Sequence, residues 1–393
     1  MRIPCRSSHA GQRLAGWLAA IGLGAALPTT RVAADSYLVY VGTFASPTSQ
    51  GIYSFQFDTA TGQPAAAAAS LVVQAASPST LALHPNGQCL YAANEIDSYG
   101  GQSSGSVSAY AIHAGGALTL LNVQASGGPG PCFISLDSTG QCALVAHYNG
   151  GCVSTLPIGA DGRLGAVATL IQHTGSSVDP VRQTHAYAHW IAPDPTGHHA
   201  LVCDLGLDRV FTYRFDASHA ALAAGDPPFA GVKPGFGPRH LAFHPDGRWV
   251  YVITEMGNAM VVFSYDSTQG ALREIQSVST LPADFTGQSS GAEVAVHPNG
   301  RFVYGSNRGH DSIVVYAVDQ ASGRLALVQH QSTLGRTPRT FALDPSGRWL
   351  LAANQDSNSV AVFGVDPGTG RLTPTPSKID VGMPTCLVFL PAR

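Results

Sequence analysis

Three ionisable residues lie at the ends of two short apolar segments in the stretch 235–258, GFGPRHLAFHPDGRWVYVITEMGN. Arg239 and His240 precede the first segment, and Glu255 follows the second, sixteen residues after Arg239. The Pro-Asp-Gly turn between the segments predicts a hairpin, which brings both of its open ends to one side. A guanidinium, an imidazole and a carboxylate gathered there can transfer a proton and stabilise a developing negative charge.

This hairpin is one of six similar units in the chain. Each unit has an apolar strand, a His or Asp, a turn containing glycine, and a second apolar strand. The His or Asp markers recur at intervals of 47 to 57 residues: His84, Asp137, Asp194, His244, His297 and Asp344. A second hairpin follows each unit, so four short strands recur every ~50 residues, as is typical of a β-propeller blade.

The number of second hairpins predicts the number of blades. Seven are present, but only six complete first hairpins precede them. The first blade lacks an inner strand beside segment 37–44, and the last apolar segment, 385–391, can supply it. The sequence therefore predicts an all-β, seven-bladed β-propeller in which the N- and C-terminal strands pair in one blade. Such closure leaves no open sheet edge that would invite aggregation.

Alignment of the units by their turn glycines places polar residues in equivalent positions at one mouth of the central channel. The longer connections, including 173–187 and 226–238, lie at the same end, where binding residues concentrate. The ionisable candidates from blades four to six are His189, Arg239, His240, Glu255, Glu293 and Arg308. Asn307 and Arg339 occupy further equivalent positions, and His185 lies in the connection before His189. Convergent ionisable groups in a concavity favour an active or ligand-binding site over a solvated rim.

The histidine spacing allows a second interpretation of this region. His185 and His189 are four residues apart, and with His147 and Asp204 they could hold a divalent metal ion if the segment were helical. A strand that begins after Pro180 argues against a helix, and we expect neither a metal nor a cofactor. The recurring His and Asp markers occupy turn positions, which predicts a capping role in the fold.

Residues 1–34 differ in composition from the rest of the chain. Arginines at positions 2, 6 and 13 precede a 14-residue apolar run at 14–27, and the small-residue site VAA ends at position 34. This order predicts a signal peptide over 1–34 and an exported propeller domain over 35–393, periplasmic or secreted. An uncleaved membrane anchor is the alternative, although the run is short for a membrane span.

Six of the seven cysteines follow residue 34. Several of these six lie in apolar strand patterns, which favours buried thiols.

Charge limits the kinds of partner. The net charge is −3, and Lys233 and Lys378 are the only lysines. Without a basic stripe, a nucleic-acid partner is not expected. We expect a monomer that binds a small molecule and has no stable association with the membrane after the signal peptide is removed.

Six motifs resemble those of the seven-bladed propeller lactonases, which include bacterial 6-phosphogluconolactonases and fungal carboxy-cis,cis-muconate cyclase. The motifs are YVGTF (40–44), THAYAH (184–189), DLGLDRVFTY (204–213), GPRHLAFHPDG (237–247), GAEVAVHPNG (291–300) and SNRGHDSI (306–313). The resemblance covers roughly 37–391 and implies the same fold. It also implies a catalytic group of His189, Arg239, Glu255 and Arg308. His185 is the alternative for the histidine, and we favour His189 because it begins a strand.

The resemblance implies hydrolysis of a cyclic ester by water. Glu255 or His189 would accept the proton of the attacking water. Arg239 and Arg308 would polarise the ester carbonyl or bind an anionic group of the substrate, a task that suits the planar guanidinium fork. The lactone would thus be held and activated by the same set of side chains.

The remaining candidates would support this group. His240 and Glu293 would orient the catalytic side chains, and Arg339 could bind a phosphate. The family implies 6-phosphogluconolactone as substrate, whereas export favours an unphosphorylated aldonolactone such as gluconolactone. A muconate-type lactonising cycloisomerase and a non-catalytic binding propeller are the alternative functions.

Overall fold

The computed structural model describes residues 36–392, so the signal peptide predicted for 1–34 lies outside the described residues. Within 36–392, seven antiparallel sheets follow one another along the chain, which confirms the predicted seven-bladed β-propeller. No helix in this range is long and apolar enough to cross a membrane. Its helical segments are short 3-10 turns: Ala114–Gly116, Leu205–Leu207, Ala217–His219 and Gln355–Ser357.

The strands are numbered in chain order and grouped by blade. Blade one begins with β1 (Ser36–Thr43), β2 (Gly51–Asp58), β3 (Gln63–Pro64) and β4 (Ser70–Gln74). Blade two contains β5 (Pro78–Leu83), β6 (Cys89–Asn94), β7 (Ser106–Ile112) and β8 (Leu118–Ala125). Blade three contains β9 (Pro131–Leu136), β10 (Cys142–His147), β11 (Cys152–Pro157) and β12 (Thr169–Gln172). Blade four contains β13 (Ala188–Pro193), β14 (His199–Asp204), β15 (Arg209–Asp216) and β16 (Ala221–Gly231).

The last three blades complete the ring. Blade five contains β17 (Pro238–Phe243), β18 (Trp249–Thr254), β19 (Ala259–Asp266) and β20 (Ala271–Ser279). Blade six contains β21 (Ser290–Val296), β22 (Phe302–Arg308), β23 (Ser312–Val318) and β24 (Leu325–Ser332). Blade seven contains β25 (Pro338–Leu343), β26 (Trp349–Asn354), β27 (Ser359–Val365) and β28 (Leu372–Asp380). The final strand, β29 (Pro384–Pro391), returns to blade one.

The two ends of the described chain share blade one. Strand β29 pairs antiparallel with β1, with Tyr40 opposite Val388, and becomes the innermost strand of that blade. The predicted closure is therefore confirmed. Because β1 is held between β29 and β2, the first strand of the described chain has no open edge at the join.

The second strand of each blade lies between its neighbours and is almost entirely buried. All six residues of β18, WVYVIT, are buried, and the same is true of β6, β10 and β14. A strand covered on both faces needs a continuous apolar run rather than an alternating one, which is what these segments show. Apolar clusters fill the spaces between blades, as where Leu201 and Val210 of blade four pack with Leu241, Val252 and Val261 of blade five.

The marker residues cap the turns of the inner hairpins, as predicted, and the histidines also connect neighbouring blades. His244 Nδ1 accepts a hydrogen bond from the Asp246 backbone N–H at 3.3 Å, within its own turn. Its Nε2 lies 2.8 Å from the carbonyl oxygen of Gly300, in the turn of the next blade. His297 makes the equivalent contact with Gly347 at 2.9 Å.

One connection is shorter than the sequence suggested. The range 226–238 was expected to be irregular, but β16 continues to Gly231, which pairs with Arg209. The Gly-Asp-Pro-Pro sequence resembles a turn, yet β16 is an outer strand whose free edge does not need the N–H groups that proline lacks.

The cysteines agree with the expectation of buried thiols. The six in the described residues are free thiols, and five of them are buried.

Every inner strand has a β-bulge at the same mouth of the channel. In blade five, Pro238 pairs with Thr254 and His240 pairs with Ile253, so Arg239 is the extra residue. The other blades have the same irregularity at Thr385, Ser79, Cys132, His189, Ala292 with Glu293, and Arg339. A bulge redirects a side chain, and here it allows two consecutive residues, such as Arg239 and His240, to face the channel.

Candidate active site

Glu255 is the centre of a cluster of ion pairs at the bulged mouth. Its backbone N–H donates to the Gly237 carbonyl at 2.8 Å, which fixes its position just after β18. Its Oε2 lies 3.1 Å from Arg239 Nε and 2.8 Å from a terminal nitrogen of Arg308. Its Oε1 lies 2.5 Å from a terminal nitrogen of Arg182. Three of the predicted catalytic residues, Glu255, Arg239 and Arg308, therefore lie in contact. Arg182, which was not predicted, contacts the same carboxylate.

Different elements position the three guanidiniums. Arg239 is the bulge residue of β17 and is 2% exposed. Arg308 is the last residue of β22, and its terminal nitrogen also donates to the Gly291 carbonyl at 3.0 Å. Arg182 belongs to the 173–187 connection between blades three and four, and 44% of its side chain is exposed. Two arginines are therefore part of the rigid strand framework, whereas the third reaches in from a loop.

His240 and Glu293 form a second network beside the first. The His240 Nδ1 lies 3.0 Å from Glu293 Oε1, and Arg239 donates from a terminal nitrogen to His240 Nε2 at 3.2 Å. Because a guanidinium can only donate, Nε2 must be the accepting nitrogen and the proton must be on Nδ1. Thr340 donates to the other oxygen of Glu293 at 3.0 Å. The chain of contacts therefore orients Arg239 from the side opposite Glu255.

The charges of this cluster follow from burial and from neighbouring groups. Burial alone would raise the pKa of Glu255, but the guanidiniums of Arg308, Arg239 and Arg182 outweigh it and lower that pKa to about 2. Burial, together with repulsion from Arg308 and Arg339, lowers the pKa of Arg239 to about 9. At neutral pH the carboxylate is therefore ionised and Arg239 is still a cation.

Both imidazoles at the mouth are neutral. Burial lowers the pKa of His240 to about 4, although Glu293 pulls in the opposite direction. Burial, with Arg239 and His240 nearby, lowers the pKa of His189 well below its usual value. The His189 ring packs edge-on against the rings of His240 and Tyr148, at centroid distances of 5.1 and 5.5 Å. Its Nδ1 is buried and has no hydrogen-bond partner within residues 36–392.

Two spaces adjoin these groups. A narrow axial cavity of about 20 Å³ is bounded by side chains from all seven blades, including His189, His240 and Arg339. A cleft of about 880 Å³ lies at the surface and is bounded by Arg182, Glu255 and Arg308, among others. The ion-pair cluster therefore adjoins both an enclosed axial cavity and an open cleft large enough for a sugar-sized molecule.

The three other predicted site residues lie outside this ion-pair cluster. His185 is exposed, and its ring packs at a tilt against the Tyr187 ring, with the ring centroids 4.0 Å apart. The Asn307 side-chain amide donates to the Thr280 carbonyl at 2.9 Å, as a residue that supports the fold would. Arg339 borders the axial cavity, with its guanidinium 4.7 Å from the centre of the Phe44 ring. Roles for these three in substrate binding stay predictions.

Sequence reasoning did not assign three residues that line this mouth. Arg182 had no repeat position to mark it, because it lies in a connection outside the repeated hairpin units. Tyr148 and Glu95 do occupy the position equivalent to Glu255, so the alignment could have selected them. The Tyr148 hydroxyl accepts from Arg182 at 3.3 Å, and Glu95 Oε2 is buried without a partner among the described side chains.

Fold and site together define a seven-bladed propeller with a buried arginine–carboxylate cluster at one channel mouth. Comparison with known proteins gives the family: the model of the lactonases with a seven-bladed β-propeller matches residues 38–389. The chain therefore belongs to this lactonase family, as its motifs indicated. The expectation of an enzyme of the carboxylic ester hydrolase class is confirmed with it.

The names of individual relatives are consistent with the lactonase family. A Bacillus subtilis protein named 6-phosphogluconolactonase is 40% identical over 355 residues, which are 90% of this chain and 98% of that protein. A Formosa agariphila protein of the same name is 33% identical over 312 residues, covering 78% of this chain and 86% of that protein. The solved structure of the Pseudomonas aeruginosa periplasmic gluconolactonase is 34% identical, with a TM-score of 0.85, and the match covers 91% of this chain and all of that one.

Proposed function

We propose that this chain opens a sugar lactone by attack of water on the ring ester, at the channel mouth beside Glu255. The observation that carries the proposal is the pairing of Glu255 with two largely buried guanidiniums, those of Arg239 and Arg308. Ester hydrolysis needs donors that stabilise the carbonyl oxygen as it becomes negative, and a group that accepts a proton from water. Guanidiniums supply the first requirement, and the neutral imidazole of His189 supplies the second.

Arg308 is the donor best suited to the carbonyl oxygen. Its terminal nitrogen is committed to Glu255 and Gly291, but its Nε is buried and has no partner within the described chain. A small turn of the buried side chain would direct that N–H to the oxyanion without breaking an existing contact of Nε. Because Glu255 holds the guanidinium in place, little reorganisation is needed as charge develops.

His189 is the better proton acceptor of the two candidates. Both oxygens of Glu255 are engaged by arginines, whereas Nδ1 of His189 is free. The low pKa of His189 keeps it unprotonated throughout the neutral range. Glu255 then serves as the counter-charge that holds the arginines, and His240 with Glu293 orients Arg239 from the other side.

Substrate and location are proposed from the relatives and the N-terminal pattern. The Bacillus subtilis relative is named for a phosphorylated sugar lactone, and the Pseudomonas aeruginosa structure for gluconolactone in the periplasm. The segment 1–34 has the order of a signal peptide. We therefore propose a sugar lactone of the gluconolactone type, phosphorylated or not, opened in the periplasm or outside the cell.

Replacement of Arg308 tests the proposal. Arg308→Ala should lower kcat for lactone opening by about 100-fold or more, as expected when an oxyanion donor is removed. Acid release is measured in a pH-stat against the spontaneous rate, with gluconolactone and 6-phosphogluconolactone. The control is Arg336→Ala, because Arg336 is an exposed arginine on the same face whose side chain donates to the nearby Asp356 carbonyl. The turnover of this variant should match that of the wild type.

Two results would overturn the proposal. One is a wild-type protein that releases no acid from any lactone above the spontaneous rate, as a non-catalytic binding propeller would. The other is an Arg308→Ala protein with native circular dichroism and unchanged turnover. Consumption of an unsaturated diacid without net hydrolysis would indicate a lactonising cycloisomerase instead.

A further inference from the structure

Arg182 differs from the other two arginines that contact Glu255. Its side chain is 44% exposed, compared with 2% for Arg239 and 15% for Arg308. It borders the open cleft together with Glu255 and Arg308, whereas Arg239 borders the enclosed axial cavity. Glu255 also pairs with Arg239 and Arg308, so Arg182 can change partner without leaving the buried carboxylate unpaired.

The Arg182 guanidinium makes its hydrogen bonds within residues 36–392 through one terminal nitrogen. The same terminal nitrogen contacts Glu255 at 2.5 Å and the Tyr148 hydroxyl at 3.3 Å. A guanidinium has five N–H donors and binds carboxylate or phosphate best through two parallel hydrogen bonds. The contact with Glu255 uses one nitrogen, which leaves most of the fork facing the cleft.

The backbone beneath this side chain is fixed. Asp179 accepts from the backbone N–H of Arg182 at 2.8 Å and from that of Val181 at 2.9 Å. The next residue, Gln183, is fully buried and donates from its side chain to the Leu205 carbonyl at 2.8 Å. The loop therefore presents Arg182 from a defined point, while the guanidinium itself can move within the cleft.

We infer that Arg182 determines specificity for lactones that carry an anionic substituent, by leaving Glu255 to bind that anion as a two-bonded fork. The inference rests on the proposed lactone hydrolysis and adds the residue that distinguishes charged from uncharged substrates. The anion is a phosphate or a carboxylate, because both match the guanidinium in geometry. When Arg182 moves, Glu255 keeps its ion pairs with Arg239 and Arg308 through Oε2.

Kinetics on three lactones test the inference. The variants are Arg182→Ala and Arg182→Lys, the control is Arg336→Ala, and the substrates are gluconolactone, 6-phosphogluconolactone and glucarolactone. Arg182→Ala should lower kcat/KM for the lactone with the preferred anion by about 10- to 100-fold. The loss for uncharged gluconolactone should be smaller, and the ratio of the two losses measures the specificity that Arg182 confers. Arg182→Lys keeps the charge but not the fork, so its loss should be intermediate. The wild-type preference between the two charged lactones identifies the anion.

Binding of the ring-opened products tests the same point without turnover. Isothermal titration with 6-phosphogluconate, glucarate and gluconate should show the larger loss of binding in Arg182→Ala for the product with an additional anionic group, because gluconate carries only the carboxylate that ring opening creates. Equal losses with all three lactones, or no loss with any, would overturn the role of Arg182 while leaving lactone hydrolysis intact. A wild-type protein that opens no lactone refutes the proposed function, and the titrations then still decide whether Arg182 recognises an anion.

Discussion

Arg239 and His240 are consecutive residues, yet both contribute to the same mouth. In a regular strand their side chains would point to opposite faces. The bulge at Arg239 interrupts this alternation, so that Arg239 reaches Glu255 while His240 reaches Glu293. Two separate carboxylates thereby hold two adjacent side chains, and the guanidinium is fixed from both sides.

Glu293 is therefore expected to act on catalysis through Arg239. Glu293→Ala removes the acceptor of His240 Nδ1 and of the Thr340 hydroxyl, which should cost about 1–3 kcal/mol of unfolding free energy. With His240 free to turn, Arg239 is less well oriented, and kcat on the best lactone should fall by about tenfold, the amount that corresponds to ~1.4 kcal/mol. Glu293→Gln keeps an acceptor oxygen and should recover most of both losses. Urea unfolding and steady-state kinetics measure the two effects, and equal kcat for Glu293→Ala and wild type would contradict the role.

The residues that were found from sequence share one property. His189, Arg239, Glu255 and Arg308 stand at repeated positions of the hairpin units, where the strand framework determines which end of the channel they face. Arg182 could not be found in this way, because its contact with Glu255 depends on the path of the 173–187 loop. That path is set by hydrogen bonds of Asp179 and Gln183 that have no sequence signature.

At the scale of elements, the inner hairpins are joined to one another by their turn histidines. The Gly300 φ is +72°, and a Cβ at that position would lie 2.7 Å from His244 Nε2. Glycine is thus needed there both for the turn and for the close approach of the histidine. Each such contact joins one blade to the next at the face opposite the candidate site.

Loss of one of these contacts should destabilise the ring without affecting catalysis. His244→Ala removes one of two hydrogen bonds to the Gly300 carbonyl, since the Gln320 side-chain amide still donates to it, at a cost of about 1 kcal/mol. Thermal unfolding should show a lower Tm, whereas kcat and KM should equal those of the wild type, since β17 separates His244 from Arg239. His113→Ala is the control, because His113 is an exposed histidine that contacts Thr119 within its own blade. A large drop in kcat for His244→Ala would show that the two faces are coupled.

The elements themselves were predictable to different degrees. Inner strands combine a continuous apolar run with a glycine turn, so their existence and order followed from the sequence. The end of β16 did not, because proline in an outer strand has the same appearance in sequence as proline in a turn. The bulges were also not predicted, since the extra residue in each inner strand depends on pairing with the strand beside it.

For the whole molecule, the buried imidazoles make stability depend on pH. Burial lowers the pKa of His147 and of His240 to about 4 each, and that of His189 well below the usual value. Below pH ~6.5 the unfolded chain takes up protons on these residues while the folded chain does not, so stability is lost as pH falls towards 4. Each imidazole contributes up to ~1.4 kcal/mol per pH unit.

The contribution of His147 to the pH dependence can be measured separately, because this residue lies outside the ion-pair cluster. Its Nδ1 lies 3.2 Å from the Cys152 carbonyl, and His147→Asn keeps a donor there but cannot take up a proton. Urea unfolding between pH 7.5 and 4.5 should show a shallower loss of stability in the variant, by up to ~1.4 kcal/mol per pH unit. Identical pH profiles for the two proteins would mean that His147 titrates in the folded state as it does in the unfolded chain.

The ring of bulges has a consequence for redesign. Each bulged side chain stands outside the regular pairing of its sheet, so its identity can change while the hydrogen-bonded frame stays the same. Ionisable residues fill this ring in blades four to seven, whereas blades one to three contribute only Thr385, Ser79 and Cys132. Three of the seven bulge positions thus carry a small side chain without a formal charge, and they border the same axial cavity as Arg239. New catalytic groups introduced at those three positions would meet an existing guanidinium, on a scaffold already suited to carry them.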